Sequence, residues 1–462
     1  MIRISLFSLV ALTSLVACGT TSEVRTPSSL PAAQMEFIEA RTPGVVTTAL
    51  PAQWWHLFDD TELDAHVERA LTANADLHIA IANLETARAM VRQADAIRLP
   101  ATVIESGAGP DQADKQPSTS SIPKTSYELG ATVAYEIDLF GRLSSGVRAA
   151  RADAAASAAL VDAARIAVVG DTVAAYIDYC GAVQTRTLTK SLVRAHEHSF
   201  QLIDQQFQEG EVSPLEVAQA QTVLQRARAN LAPLEADRRR ALFRLATLEG
   251  LPPSATDGWR LSCHSIPKIE VPLPVGDGTA LLARRPDIRE AEQRVIAATA
   301  RIDIAHADLY PKISLGSSLG LIAGRFDAIL TPLITWSFPN RSAVRARIAA
   351  AKGQEAAALA TWDAVILRAL REVETALADY RAEQIRRAEL MSALIESEKA
   401  VRRAQARFRL GADSYLLGRD AERTRSDIAT LAATSDLRIA QTQIALFRAL
   451  GGGWKQPSGQ VK

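Results

Sequence analysis

Residues 142–209 and 341–410 contain no proline. At 1.5 Å per residue a helix over either stretch runs about 100 Å, several times the usual length in globular proteins. The two stretches belong to an internal repeat, the feature whose omission would misread the whole fold. Leu71-Thr-Ala-Asn-Ala-Asp76 lies 211 residues before Leu282-Ala-Arg-Arg-Pro-Asp287, and the same offset brings Ala87 onto Ala298 and Pro100 onto Pro311. Farther on, an offset of 201 aligns Asp178-Tyr179 with Asp379-Tyr380, Phe207 with Phe408, Gly210 with Gly411, Ser213 with Ser414 and Gly250 with Gly451. The first copy is therefore ten residues longer (211 − 201), and the difference falls between Pro100 and Asp178.

Each copy reads as the same series of elements. A helix near 62–98, and again near 283–309, is closed by a proline that cannot continue it. Two short strands follow, 101–107 and 126–137 in the first copy, 312–321 and 329–338 in the second, from their alternation and the Gly, Pro and Asn around them. The long helix comes next, weakened slightly by isolated Gly146, Gly170, Gly181 and Gly353. Gly210 provides a left-handed stop. Ser213-Pro214-Leu215-Glu216 then reads as N-cap, N1 proline and capping-box Glu of a returning helix. Ser414 takes the N-cap part in the second copy, with Leu417 in place of the Glu. Pro233 falls inside the first returning helix and predicts a kink or break. Alanine-rich runs such as 149–164 let neighbouring helices pack closely. The fold class is thus mainly α with a small β part: tandem repeats over 51–252 and 277–455, hairpins over 142–249 and 341–450, a linker at 253–276 and a tail at 456–462.

The N-terminus is an address. Met1-Ile2-Arg3 precedes an apolar run over 4–17, too short to span a bilayer and suited to a secretory signal. Leu15-Val16-Ala17-Cys18-Gly19 resembles a bacterial lipobox, so Cys18 is the expected lipidation site, carrying a diacylglycerol and an N-acyl chain; no other cofactor is implied. Gly19 stands where an inner-membrane lipoprotein would carry Asp, which implies sorting to the outer membrane. Several acyl chains, each methylene worth about 0.8 kcal/mol, anchor firmly. Residues 18–50 read as an extended tether. The charge is balanced, 52 basic against 52 acidic residues, leaving no global field for nucleic acid. No 18-residue apolar run occurs after the N-terminus, which excludes a helical membrane bundle.

Four strands cannot close a barrel, and strand backbones in lipid need a closed set of partners. Three chains would supply twelve strands and a tube of twelve helical rods. The rivals are a rod-like scaffold and a periplasmic adaptor; the latter needs one hairpin flanked by halves of a β-domain, not two hairpins in tandem. At this point the sequence resembles the TolC-type outer-membrane factors, specifically the NodT-like efflux lipoproteins. The resemblance runs over roughly residues 50–455 and is carried by Trp54-Trp55-His56-Leu57-Phe58, Asn74-Ala75-Asp76-Leu77, Asp138-Leu139-Phe140-Gly141-Arg142 and Pro274-Val275-Gly276-Asp277-Gly278. Arg284-Arg285-Pro286-Asp287, Ala307-Asp308-Leu309-Tyr310-Pro311 and Gly451-Gly452-Gly453-Trp454 complete it.

The resemblance implies a homotrimeric 12-strand barrel on a 12-helix periplasmic tunnel, held in outer-membrane lipid. It implies a periplasmic adaptor and an inner-membrane pump of RND type as partners, and export of small molecules such as drugs or solvents. The alternative cargo is protein, through a type I secretion system. By position, Leu416 and Asp420 match the hydrophobic and acidic rings of the periplasmic gate; they are four apart, hence on one helix face. Three Asp420 carboxylates about an axis would repel one another, making a closed tip sensitive to pH and cations; the alternative is a solvated helix residue. Gly418-Arg419 departs from the family pattern, and Arg419 is placed to pair with an acidic neighbour. Gly210, Glu211, Val212 and Ser213, with Gly411, Ala412, Asp413 and Ser414, match the tips that dock the adaptor.

Enzyme chemistry has little to work with. His196-x-His198 sets two imidazoles about 200° apart on a helix, not on one face, and the remaining histidines form no metal or triad pattern. Gly451-Gly452-Gly453 follows a helix and reads as its stop. Arg238-Arg239-Arg240 reads as a solvated face or a source of inter-helix pairs. Cys180 and Cys263, in an oxidising compartment, form either a disulfide or two separate buried thiols.

Overall fold

The computed structural model describes residues 37–110, 125–322, 325–335, 340–410 and 415–452. In chain order they form β1 (Val45–Val46), α1 (Thr61–Ala73), α2 (Ala75–Ala96), β2 (Ala101–Pro110), β3 (Thr125–Ile137), α3 (Arg142–Gln208), α4 (Pro214–Ala229) and α5 (Leu231–Leu248). Then come β4 (Leu273–Pro274), α6 (Gly278–Arg284), α7 (Pro286–Ala307), β5 (Lys312–Ile322), β6 (Arg325–Thr335), α8 (Arg341–Arg409) and α9 (Tyr415–Ala449). The two proline-free stretches are continuous helices of 67 and 69 residues. Both run through two compact units, one holding 81–159 and 287–365, the other the described parts of 29–80, 160–286 and 366–462.

The first unit is built on an antiparallel sheet in the order β2-β3-β5-β6. Ala101 lies opposite Ala134, Ile137 opposite Ile313, and Lys312 opposite Thr335. β6 starts four residues earlier than the sequence indicates and ends at Thr335. Its limits are set by its partner: the eleven residues of β5 pair from Ile322↔Arg325 to Lys312↔Thr335, which draws in Arg325-Phe326-Asp327-Ala328. Val103, Ile104, Leu129, Val133, Tyr135 and Leu315 keep large apolar side chains exposed on these strands. Among the described residues β2 and β6 pair on one side only, leaving two rows of ladder groups unpaired.

Where β3 passes into α3, Asp138 accepts hydrogen bonds from the N–H groups of Leu143 (2.9 Å) and Ser144 (2.7 Å). That satisfies two orphan donors at the helix start. Arg142 clasps Glu136, and Phe140 stacks on Tyr310 at 4.5 Å. The Asp-Leu-Phe-Gly-Arg block is thus a strand-to-helix joint. Farther along α3, Asp153 takes Arg294 (3.1 Å) and Arg301 (2.5 Å) from α7.

The second unit shows how each repeat closes. The sequence suggests one helix near 62–98 and another near 283–309; each is two helices with a break. The first break is at Asn74, whose carbonyl oxygen caps α2 through the Leu77 N–H (3.1 Å) while its amide donates to the Leu248 carbonyl (3.0 Å). The second is at Arg285, held extended before Pro286, with its guanidinium on the Ala449 carbonyl (2.8 Å). Asn74 and Arg285 correspond at offset 211, Leu248 and Ala449 at offset 201. Gly250 and Gly451 follow in left-handed conformation, φ +72° and +71°. A Cβ on Gly250 would stand 2.6 Å from the Ala73 carbonyl oxygen, so side chain and backbone both require glycine there.

Beside this joint Glu249 is buried and accepts from His66 and from Arg69 (2.8 Å). Burial works to raise its pKa, but the His66 and Arg69 hydrogen bonds and charges hold it below the ordinary carboxylate value. The first returning helix breaks at Asn230: Pro233 has no N–H for the Ala229 carbonyl and its ring crowds it. Gly170 and Gly181 admit side chains of α9, a Cβ there meeting Arg448 at 2.5 Å and Leu437 at 2.9 Å. Cys180 on α3 and Cys263 of the inter-repeat segment are joined as a disulfide, Cα atoms 5.5 Å apart.

The tether differs from expectation. From Phe37 onward the chain is a strap on the body, with Phe37, Thr42 and Leu50 buried. The Ile38 and Glu39 N–H groups donate to Glu374 of α8 (2.7 and 3.1 Å), and β1 pairs in parallel with β4. Apolar periodicity could not reveal it, because what holds it is backbone hydrogen bonding to distant residues.

Glu249 supplies stability that is complete above the ordinary carboxylate range and lost as pH falls through its depressed folded value. Glu249→Gln should therefore cost about 3 kcal/mol at neutral pH and flatten the acid side of the profile. Thermal unfolding of the detergent-solubilised chain between pH 3 and 7 measures both effects.

Candidate gate and docking tips

At the end of α3, Gly210 adopts φ +80°, its N–H donating to the Phe207 carbonyl (3.0 Å) and that of Glu211 to the Gln206 carbonyl (2.8 Å). Two orphan carbonyls of the helix end are satisfied this way. The Ser213 N–H then donates to Glu216 (2.7 Å), and the capping box with Pro214 starts α4 as the sequence indicates. Gly210, Glu211 and Ser213 are exposed and Val212 half-buried. Large apolar side chains flank the turn in the open, Leu215 at 65% and Phe207 at 40% exposure. Gly411, Ala412, Asp413 and Ser414 of the second tip, like Cys18, lie outside the described residues. On either side of that tip Leu410 and Leu417 are exposed, Leu410 to 82%.

α9 begins at Tyr415, so Leu416 and Asp420 fall on one face of its first two turns. Asp420 is exposed and borders a cleft of about 570 Å³ between α3, α4, α5 and α9, shared with His196, Arg226, Arg419 and Glu422. Among the described residues Arg419 has an amide as its partner: its guanidinium donates to the Gln219 side-chain oxygen at 2.9 Å. Gln219 stands 201 residues before Asp420, and is therefore its counterpart in the first repeat. Glu422 accepts from Gln405 (3.0 Å).

His196 enters this cleft from α3 and is half-buried, while His198 is exposed. Burial holds the His196 pKa below the ordinary histidine value; Glu422 opposes this, and Arg425 and Arg419 add to it. The cluster holds charge at a helix end where two repeats meet, and offers neither a nucleophile–base pair nor, among the described residues, three grouped metal-binding side chains. Sequence reasoning missed Gln219 and took His196 only as half of a histidine pair. The offset of 201 was the signal that could have singled out Gln219.

Arg419→Ala should speed amide exchange in the first turns of α9 several-fold, read by hydrogen–deuterium exchange at neutral pH. Because a depressed histidine costs stability as pH falls below its unfolded value near 6.5, His196→Gln should lessen the loss of melting temperature between pH 7 and 5.

The model of the outer membrane efflux protein family matches residues 66–251 and 279–452. Outer membrane protein OprJ of Pseudomonas aeruginosa is 32% identical over 467 residues, covering 97% of this chain and 95% of that protein. The solvent efflux pump outer membrane protein SrpC of Pseudomonas putida is 31% identical over 426 residues, covering 88% of this chain and 89% of that one. The solved structure of the outer-membrane channel OprN superposes with a TM-score of 0.86 at 31% identity, covering 95% of this chain and 100% of that one. The chain belongs to the outer membrane efflux protein family and is a transport protein of the outer membrane, not an enzyme.

Proposed function

We propose that this chain is the outer-membrane channel of a tripartite efflux system of RND type, assembling as a trimer and exporting drugs or solvents. The observation that carries this reading is the four-stranded sheet with apolar side chains exposed and, among the described residues, both edge strands paired on one side only. In lipid such edges need partners. Three copies joined β2 to β6 give 3 × 4 = 12 strands and abolish every edge. Each chain brings four rods to the tube beneath: α3, α4 with α5, α8 and α9.

Acyl chains on Cys18 anchor the trimer in the outer membrane. Leu416 and Asp420 form its gate, three carboxylates repelling one another on an axis. The exposed Phe207, Leu215, Leu410 and Leu417 beside the two tips suit the apolar side chains of an adaptor's helical hairpin, which would carry the opening signal from the inner-membrane pump. The likeness to SrpC, a solvent efflux pump outer membrane protein, supports small molecules as the cargo.

Native mass spectrometry of the membrane-expressed protein should show trimers of chains beginning at an acylated Cys18. In planar bilayers Asp420→Ala should lower the open probability several-fold, most at neutral pH, where the carboxylates it removes repel one another and strain the closed tip. A stable monomer in mild detergent would sink the reading, because four strands cannot close alone.

A further inference from the structure

The two repeats treat one site differently. In the first, Glu235 of α5 takes Arg186 of α3 (3.2 Å) and Arg238 of its own helix (2.7 Å), with Arg239 at 3.4 Å. The Arg238 guanidinium also lies over the Tyr179 ring, 5.9 Å from its centroid. One carboxylate and one aromatic face thus hold a flat cation in place. The Arg238 hydrogen bond, before all else, keeps the Glu235 pKa down at about 2, against the effect of burial and with help from Arg186.

At offset 201 the corresponding residues are Tyr380, Arg387, Asp436 and Ile439. The tyrosine is kept, and so is the inter-helix pair, Arg387 to Asp436 at 2.5 Å. The second guanidinium is not: isoleucine stands where Arg238 would be. A cavity of about 470 Å³ opens at that place, lined by Tyr380, Gln384, Asp436 and Ile439 and bounded by Gly44 of the strap and Ile266 of the inter-repeat segment. Lys268 reaches Asp436 only to 3.9 Å and its side chain is 56% exposed, so its ammonium can yield to solvent. The first repeat shows that such a carboxylate accommodates more than one close cation.

We infer that this cavity is a binding site for a small, flat organic cation, a guanidinium or amidinium on an apolar body. The charge sits between Asp436 and the Tyr380 ring, as Arg238 sits between Glu235 and Tyr179. The body lies against Ile439 and Ile266. A planar cation suits the place better than an ammonium because it offers a face to the ring and paired N–H donors to the carboxylate. The cavity lies within the second unit, and none of its lining residues belongs to the tips or to the gate positions.

Calorimetric titration of the full-length, detergent-solubilised protein with benzamidinium tests this, with benzoate and benzyl alcohol as anionic and neutral probes of like shape. Benzamidinium should bind once per chain and the other two far more weakly. Ile439→Arg, which rebuilds the first repeat's filling, should weaken binding at least about tenfold, and so should Asp436→Asn. Arg238→Ala should create a second site, raising the stoichiometry to two per chain. Benzoate or benzyl alcohol binding as well as benzamidinium, unchanged affinity in Asp436→Asn, or no benzamidinium binding at millimolar concentration would each overturn the inference.

Discussion

The last carbonyl groups of a helix have no partners within it, and at the end of a very long helical hairpin that deficit decides whether the hairpin closes. Here each repeat answers with one side chain placed at the break between two helices at its start. Asn74 reaches Leu248 and Arg285 reaches Ala449. Helices of 67 and 69 residues must be joined to their returning partners at the far end for each hairpin to hold together. The closure is therefore what turns a string of helices into two repeats, and the aromatic packing of Trp54 on Phe447 at 4.7 Å gathers around it. The donors differ in charge, and their surroundings follow. Neutral Asn74 leaves the neighbouring ion cluster to Glu249, His66 and Arg69. Arg285 supplies both functions, binding the Ala449 carbonyl and Glu372 of α8 (2.8 Å), while the position matching Glu249 is the buried Leu450.

Duplication gives this molecule a built-in control at every position. Where both copies agree, as in the Arg186–Glu235 and Arg387–Asp436 pairs or the two left-handed glycines, the shared feature serves the common fold. Where they disagree, a difference in chemistry appears at matched positions. At the tip the counterpart of Asp420 is an amide, Gln219, so that position is acidic once per chain instead of twice. In the middle, Ile439 replaces Arg238 and a filled position becomes a cavity.

Much of this was legible in the sequence because local rules governed it. Absence of proline fixed the lengths of α3 and α8, Gly210 and Ser213-Pro214-Leu215-Glu216 marked the first tip, and Pro233 announced the break that falls at Asn230. Other features were not legible, for a common reason: their cause lies far away in the chain. The ends of β6 follow from the register of β5. The break at Asn74 exists because its amide serves a carbonyl 174 residues later. The strap at Phe37 has little apolar pattern and is held by backbone donors on Glu374. The Arg419–Gln219 hydrogen bond was not legible either, because the residue across the cleft is set by the pairing of two repeats and not by its own helix.

The distribution of restraint along α9 bears on how such a protein could open. Its C-terminal end is fixed by the Arg285 hydrogen bond and by buried Phe447 and Leu446; its N-terminal turns are held by the Arg419–Gln219 and Gln405–Glu422 hydrogen bonds, with Leu417 and Asp420 in the open. A helix of 35 residues is about 50 Å long. A rotation of about a tenth of a radian about the fixed end would then carry the free end roughly 5 Å, by the same geometry. Breaking these two hydrogen bonds costs on the order of 2 kcal/mol, whereas releasing the buried joint, with its charged partners, would cost more than that. Under the proposed channel function, opening at the tip is therefore the easier motion, and the closure that folds each repeat is also the pivot that lets it move.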